Sequence, residues 1–95
     1  MPSITCTVRN AVGLHARPAA VFVKAAKQFA CSITLRNLTT ACAAVNAKSP
    51  LAVLTQAVQQ GHQIEIQAEG QSAEQALVVL QQLIESDFGE GPAHA

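Results

Sequence analysis

Residues 13–20 read Gly13-Leu14-His15-Ala16-Arg17-Pro18-Ala19-Ala20 and join a strand-like segment to a helix-like one. We therefore expect His15 at the point where a helix begins. The first backbone N–H groups of a helix have no intrahelical partner, and the helix macrodipole is positive at that end. Arg17 adds a planar fork of donors that suits phosphate oxygens. The stretch predicts a site for a phosphate or another anion.

The flanking patterns define this junction. Residues 4–8 alternate between apolar and polar, which predicts a half-buried strand. After the histidine, apolar residues recur at helical spacing, which predicts a helix from about Ala16 to Phe29. Pro18 fits its first turn, where the missing N–H has no acceptor to lose. Gly13 permits an unusual backbone conformation just before the histidine.

Two further segments, residues 32–36 and 63–69, alternate in the same way and predict two more strands. Between them, residues 39–45 are expected to complete a hairpin, although no Asn-Gly or Asp-Gly pair marks its turn. The inward side chains of the two strands are expected to be Ile33, Leu35, Ile64, Ile66 and Ala68.

Two more helices are predicted in the second half of the chain. Ser49 and Pro50 fit the N-cap and first position of one helix, which we expect to end at Gly61. Its apolar face is predicted to contain Leu51, Leu54 and Val58. Residues 72–75 resemble a capping box, in which the Ser72 side chain caps a helix that runs to about residue 85.

The predicted order is β-α-β-β-α-β-α, which indicates the α+β class. Strands that alternate need helices on one face of the sheet only. The pattern by itself leaves a ferredoxin-like arrangement open.

Composition restricts the class of protein. The 95 residues suffice for one small domain, 49% of them are hydrophobic, and the formal net charge is zero. These values argue against disorder and against a general nucleic-acid surface, and Trp and Tyr are absent. No apolar run approaches the roughly 20 residues of a membrane span, and no secretory signal is visible. The three cysteines lack metal-ligand spacing and suit a reducing cytoplasm.

The stretch around His15 resembles the active-site motif of the HPr family, the histidine phosphocarriers of the bacterial phosphoenolpyruvate-dependent sugar phosphotransferase system. The resemblance continues, in the family's order, through residues 22–27, 45–49 and 68–70. It implies an HPr domain over residues 1–88 and a flexible tail over 89–95. It also implies a four-stranded antiparallel sheet with three helices on one face, an open-faced β-sandwich. The region 37–46 is longer than in common members.

The resemblance also implies a function. Enzyme I would load a phosphoryl group from phosphoenolpyruvate onto Nδ1 of His15, and His15 would pass it to an enzyme IIA domain. Arg17 would stabilise the group, and the backbone N–H groups of Ala16 and Arg17 would contact it. An imidazole with an ordinary pKa of about 6.5 suits this role, and both the helix N-terminus and Arg17 should lower that pKa. Such a carrier is not an independent catalyst and needs no cofactor or metal.

Other residues are expected to serve partners. Family members dock through an apolar patch on the first two helices, which makes Leu14, Lys24 and Leu51 candidate docking residues. Ser49 matches a serine that a dedicated kinase phosphorylates in some members, so an HPr kinase/phosphorylase is a further candidate partner. Pro50 departs from the aliphatic residue that usually follows this serine.

We expect a cytoplasmic monomer that binds neither nucleic acid nor membrane. Three alternatives stay open from the sequence: a nitrogen-branch paralogue of the carrier, a regulatory module controlled through Ser49, and a small ligand-binding domain of the ACT type.

Overall fold

The computed structural model describes residues 2–9, 13–14 and 16–86. Four strands and three helices follow one another in the predicted order. The strands are β1 (Ser3–Thr7), β2 (Ser32–Asn37), β3 (Val45–Asn46) and β4 (Gln63–Glu69). The helices are α1 (Ala16–Lys27), α2 (Pro50–Thr55) and α3 (Ala73–Glu85). The predicted tail, residues 89–95, lies outside the described residues.

The strands form one antiparallel sheet in the order β1-β4-β2-β3. Strand β4 lies between β1 and β2, with Ile66 opposite Ile4 on one side and Leu35 on the other. The predicted alternation is confirmed, because the side chains on the helix-facing side are buried. These are Cys6, Ile33, Leu35, Ile64, Ile66 and Ala68.

The other face of the sheet carries polar side chains. Arg36 and Glu65 are register partners there and form a salt bridge of 3.3 Å. Both side chains retain solvent contact, so this pair contributes little to stability. The helices cover only the apolar face, and the open-faced α+β arrangement is confirmed.

Helix α3 buries the predicted stripe. Its inward residues recur at helical spacing, as the amphipathic pattern requires. They are Ala73, Ala76, Leu77, Leu80 and Ile84. The predicted capping box is wrong, because Ser72 adopts a left-handed conformation with φ 65° and its side chain makes no cap hydrogen bond.

The predicted hairpin is present, but its second strand is shorter than expected and begins later. Residues 38–41 form the turn, and the second strand is only Val45–Asn46, which pairs with Leu35 and Thr34. The intervening residues instead pack toward the end of α2. There Gln56 donates through Nε2 to the Ala43 carbonyl at 3.0 Å.

Helix α2 ends earlier than predicted. It stops at Thr55, with Gln56 as C-cap, rather than at Gly61. Its predicted apolar face is also wrong, because Leu51 is 75% exposed and Leu54 is 38% exposed. Val53 is the buried residue of this helix, since a six-residue helix presents only one turn to the core.

Candidate functional site

The site is built around the N-terminus of α1. The helix begins at Ala16, directly after His15, which itself lies outside the described residues. The first-turn N–H groups of Ala16 and Arg17 have no acceptor within the helix. Pro18 is buried in the same turn, where it forfeits no helical hydrogen bond. This end of α1 therefore combines free backbone donors with a positive dipole.

Arg17 extends this positive end into solvent. Its side chain is exposed, and within the part of the chain that the structure describes it has no ion pair or hydrogen-bond partner. A guanidinium without a carboxylate partner remains available to a planar, bidentate anion such as a phosphoryl group.

Gly13 and Leu14, which precede the helix, are held against the loop that follows α2. The Leu14 N–H donates to the Val58 carbonyl at 3.0 Å, in the loop that follows α2. Gly13 has φ +66°, and a Cβ there would collide with the Val58 oxygen and lie 2.7 Å from the Gln59 Cα. Only glycine allows the chain to approach this loop so closely. The residue before His15 is therefore held against residues 58–59.

Leu14 is a core residue and not a docking residue. None of its surface is exposed, and it belongs to the same apolar cluster as Phe22 and Val58. Its predicted contact with a partner is wrong because the Leu14 side chain has no surface to offer. The burial of its side chain adds apolar contacts to the backbone hydrogen bond that holds Leu14 in place.

A cleft between α1 and α2 lies beside this site. Its volume is about 300 Å³, and Val23, Pro50 and Leu54 contribute apolar walls. Lys24 and Lys27 line one side of it and are both exposed. Leu51, on the first turn of α2, is the most exposed of the large apolar side chains among the described residues. The predicted docking residues Lys24 and Leu51 are thus accessible.

Ser49 caps α2 as predicted. Its Oγ accepts from the Ala52 N–H at 3.3 Å, and its backbone is extended with φ −108° and ψ 115°. Pro50 occupies the first helical position. The neighbouring Lys48 donates through Nζ to the Phe29 carbonyl at 2.6 Å, just beyond the end of α1.

A buried polar network was not predicted from the sequence. Asn37 and Gln56 are 0% and 4% exposed, respectively, and the Asn37 N–H donates to Gln56 Oε1 at 2.8 Å. Asn37 Nδ2 donates to the Gln56 carbonyl and to His62 Nδ1, both at 3.1 Å. A signal was present, because Asn37 continues the inward series of Ile33 and Leu35 with a period of two.

The cysteines are all free thiols. Cys6 and Cys31 are buried in the core, as expected for small apolar residues, and Cys42 is partly exposed. Burial, followed by the nearby Glu85 charge, raises the pKa of the Cys6 thiol. Over the described ranges no three His, Cys, Asp or Glu residues are grouped to hold a metal ion. None of the helices in those ranges has the length and apolar character needed to cross a membrane.

Comparison with known proteins identifies the family. A family model described as the PTS HPr component phosphorylation site matches residues 2–86, which is most of the chain. The chain belongs to the HPr family. The family expected from the residues around His15 is thereby confirmed.

Two curated relatives and one solved structure agree with this family. The multiphosphoryl transfer protein of Haemophilus influenzae is 43% identical over 86 residues, which are 90% of this chain and 17% of that protein. The chain thus spans less than a fifth of that relative. The phosphocarrier protein HPr of Pseudomonas aeruginosa is 36% identical over 91 residues, 96% of this chain and 99% of the relative. The crystal structure of HPr-C-His from Thermoanaerobacter tengcongensis has a TM-score of 0.88 at 41% identity, covering 95% of this chain and 98% of that one.

Proposed function

We propose that this HPr-family chain is a phosphocarrier that accepts a phosphoryl group from phospho-enzyme I on His15 and transfers it to an enzyme IIA domain during sugar uptake. The observation that carries the proposal is the start of α1. A histidine directly precedes a helix whose first turn offers backbone donors and an exposed Arg17 that has no partner among the described residues. A histidine in this position of an HPr chain is suited to hold a phosphoryl group reversibly.

The transfer follows from the chemistry of these groups. The Nδ1 lone pair of neutral His15 attacks phosphorus, an N–P bond forms, and the bond from phosphorus to the donor on enzyme I breaks. Arg17 and the N–H groups of Ala16 and Arg17 stabilise the charge on the phosphoryl oxygens. Transfer to enzyme IIA is the same step with the N–P bond of His15 breaking. Positioning and charge stabilisation account for most of the catalysis of such a phosphoryl transfer.

The partners are proposed to dock on the cleft between α1 and α2. Lys24, which lines the cleft, offers a cation to an acidic partner surface, and Leu51 on the first turn of α2 offers an exposed apolar contact. Leu51→Ala should raise the KM for transfer and leave the fold stable. The matched control is Val78→Ala, because Val78 is also an exposed aliphatic residue but lies on α3.

We infer that the carrier acts in the cytoplasm as a monomer and without a cofactor. Phosphorylation of Ser49 by an HPr kinase/phosphorylase stays a prediction, and a phosphate there would replace the hydroxyl that now caps α2. The relatives named above do not favour the nitrogen-branch or purely regulatory alternatives.

Transfer assays test the proposal. The purified chain is incubated with phosphoenolpyruvate and enzyme I, and then with enzyme IIA. We expect the chain to be labelled and the label to move to enzyme IIA, with both steps lost in His15→Ala. His94→Ala is the control and should behave like the unmodified chain. Labelling of His15→Ala at the normal rate would overturn the assignment.

A further inference from the structure

The loop between α2 and β4 holds both ends of the segment that precedes α1. At the N-terminal end of this segment, the Val8 N–H donates to the His62 carbonyl at 2.9 Å, and the Gly61 N–H donates to the Val8 carbonyl at 2.7 Å. At its C-terminal end, the Leu14 N–H donates to the Val58 carbonyl at 3.0 Å. Residues 58–62 therefore hold Val8 and Leu14, which are described residues near the two ends of the segment between β1 and α1.

This support is irregular backbone, so its shape must come from other contacts. It follows a helix that has already ended at Thr55, and Ala57 adopts a left-handed conformation with φ 50°. A non-glycine residue in that conformation is strained and persists only when surrounding contacts hold it. The Asn37–Gln56–His62 network supplies such contacts at both ends of the loop.

Each polar atom of the Asn37 side chain has a partner. Its Nδ2 donates to the Gln56 carbonyl and His62 Nδ1, and its Oδ1 accepts from the N–H groups of Thr39 and Thr40 at 3.0 and 3.4 Å. Because an amide nitrogen only donates, His62 Nδ1 must be the acceptor. Nδ1 also accepts from the Gln59 N–H at 3.2 Å. In this arrangement His62 Nδ1 is thus the shared acceptor of two hydrogen bonds.

The hairpin turn completes the connection. The Gln56 side chain spans from the Asn37 N–H to the Ala43 carbonyl, and Thr39 Oγ1 accepts from the Gln63 N–H at 2.8 Å. The hairpin is thus hydrogen-bonded to Gln56 before the loop and to Gln63 after it. A fully satisfied buried network of this kind specifies one conformation, whereas a partly satisfied one is costly.

We propose that His62 is a positioning residue for phosphoryl transfer: with Asn37 and Gln56 it fixes the loop whose Val58 carbonyl holds Leu14, and so sets the position of His15. The inference rests on the proposed function, because it concerns the geometry of the same histidine. The turn at residues 38–43 thereby acquires a role in the site, although it lies on another part of the fold.

Two substitutions of His62 distinguish the effect of its hydrogen-bond acceptor from the effect of its ring shape. His62→Asn keeps an acceptor oxygen one bond from Cγ, where Nδ1 lies, and His62→Phe keeps a ring of similar shape without an acceptor. In His62→Phe the donors of Asn37 and Gln59 lose a shared partner, and the competent loop becomes less populated. We expect its kcat for transfer from enzyme I to fall about tenfold or more at unchanged KM. His62→Asn should stay within about twofold of the unmodified chain.

Hydrogen exchange of the Leu14 amide provides a readout that does not depend on transfer. It should become faster in His62→Phe and stay slow in His62→Asn. If the unmodified chain accepts no phosphoryl group, the proposed function fails, and the Leu14 exchange rates still decide whether His62 positions the segment. Equal exchange and equal kcat in all three proteins would overturn the inference, as would equal losses in His62→Phe and His62→Asn.

A third variant covers the case in which His62→Phe does not fold. The Gln60 side chain is exposed and donates through Nε2 to the Arg9 carbonyl at 3.0 Å, so Gln60→Ala removes one tie to the segment without burying an unpaired group. We expect kcat to fall about two- to tenfold, the worth of one hydrogen bond, with only a small loss of thermal stability because the Gln60 side chain is exposed. An unchanged kcat would count against the loop as the support of the site.

Discussion

Replacing Gly13 with alanine places a methyl group against the Val58 carbonyl, so this substitution measures how tightly the active-site segment is docked. Two costs add. The φ of +66° is unfavourable for any residue with a Cβ, by about 1–2 kcal/mol. The methyl group would also collide with the Val58 oxygen and lie 2.7 Å from the Gln59 Cα, and separating packed groups costs about 1–3 kcal/mol more. We expect Gly13→Ala to lower the free energy of unfolding by about 2–5 kcal/mol.

Gly61→Ala is the matched control. Gly61 also has a positive φ, +89°, but a Cβ there would have no neighbour within 4 Å. It should therefore lose only the conformational cost of about 1–2 kcal/mol. Urea unfolding of both variants measures the difference, provided that the m-value is unchanged. Equal losses at the two glycines would refute the close docking of Gly13 on residues 58–59.

Three further perturbations test other parts of the structure. Ser49→Ala should lower the free energy of unfolding by about 1 kcal/mol through loss of the α2 cap, whereas Ser72→Ala, which removes no cap bond, should stay within about 0.5 kcal/mol in the same urea titration. Ala57→Gly should raise stability by about 0.5–1 kcal/mol by relieving a positive φ. Ala30→Gly is the control and should lower stability, because Ala30 is exposed but is not among the residues with a positive φ; a lower melting temperature for Ala57→Gly would contradict this. Burial raises the pKa of the Cys6 thiol above the ordinary 9.0. The stability that the buried neutral thiol contributes is therefore complete below pH 9.0 and is lost as the pH rises through the folded-state pKa. The loss of folding stability at alkaline pH should accordingly be smaller in Cys6→Ala.

The sequence was sufficient to predict the elements with strong periodicity. Strand β4 and helix α3 have long, regular patterns, and both have nearly the predicted bounds. The N-terminus of α1 was also predictable, because the motif around His15 combines a helix start with a phosphate-binding side chain. Alternation identified the inward residues of β2 through Leu35, and the same rule would have extended to Asn37.

The errors concern places where tertiary contacts override local pattern. Helix α2 ends where Ala57 adopts a positive φ of 50°, next to Gln56, whose side chain bonds to Asn37 and Ala43. Leu14 has the apolar character of a docking residue and of a core residue alike, and only its position over Val58 decides between them. No local signal could show that residues of the hairpin bond to Gln56 and Gln63, on either side of the loop between α2 and β4.

The most direct test of the account is to locate the phosphoryl group on the chain. Phosphorylated, ¹⁵N-labelled protein prepared with enzyme I and phosphoenolpyruvate would be analysed by heteronuclear NMR for one-bond coupling between phosphorus and an imidazole nitrogen. We expect a single coupled nitrogen, Nδ1 of His15, and loss of the signal in His15→Ala. Coupling to His62 or His94, or a phosphate ester on Ser49 in place of a phosphoramidate, would contradict it.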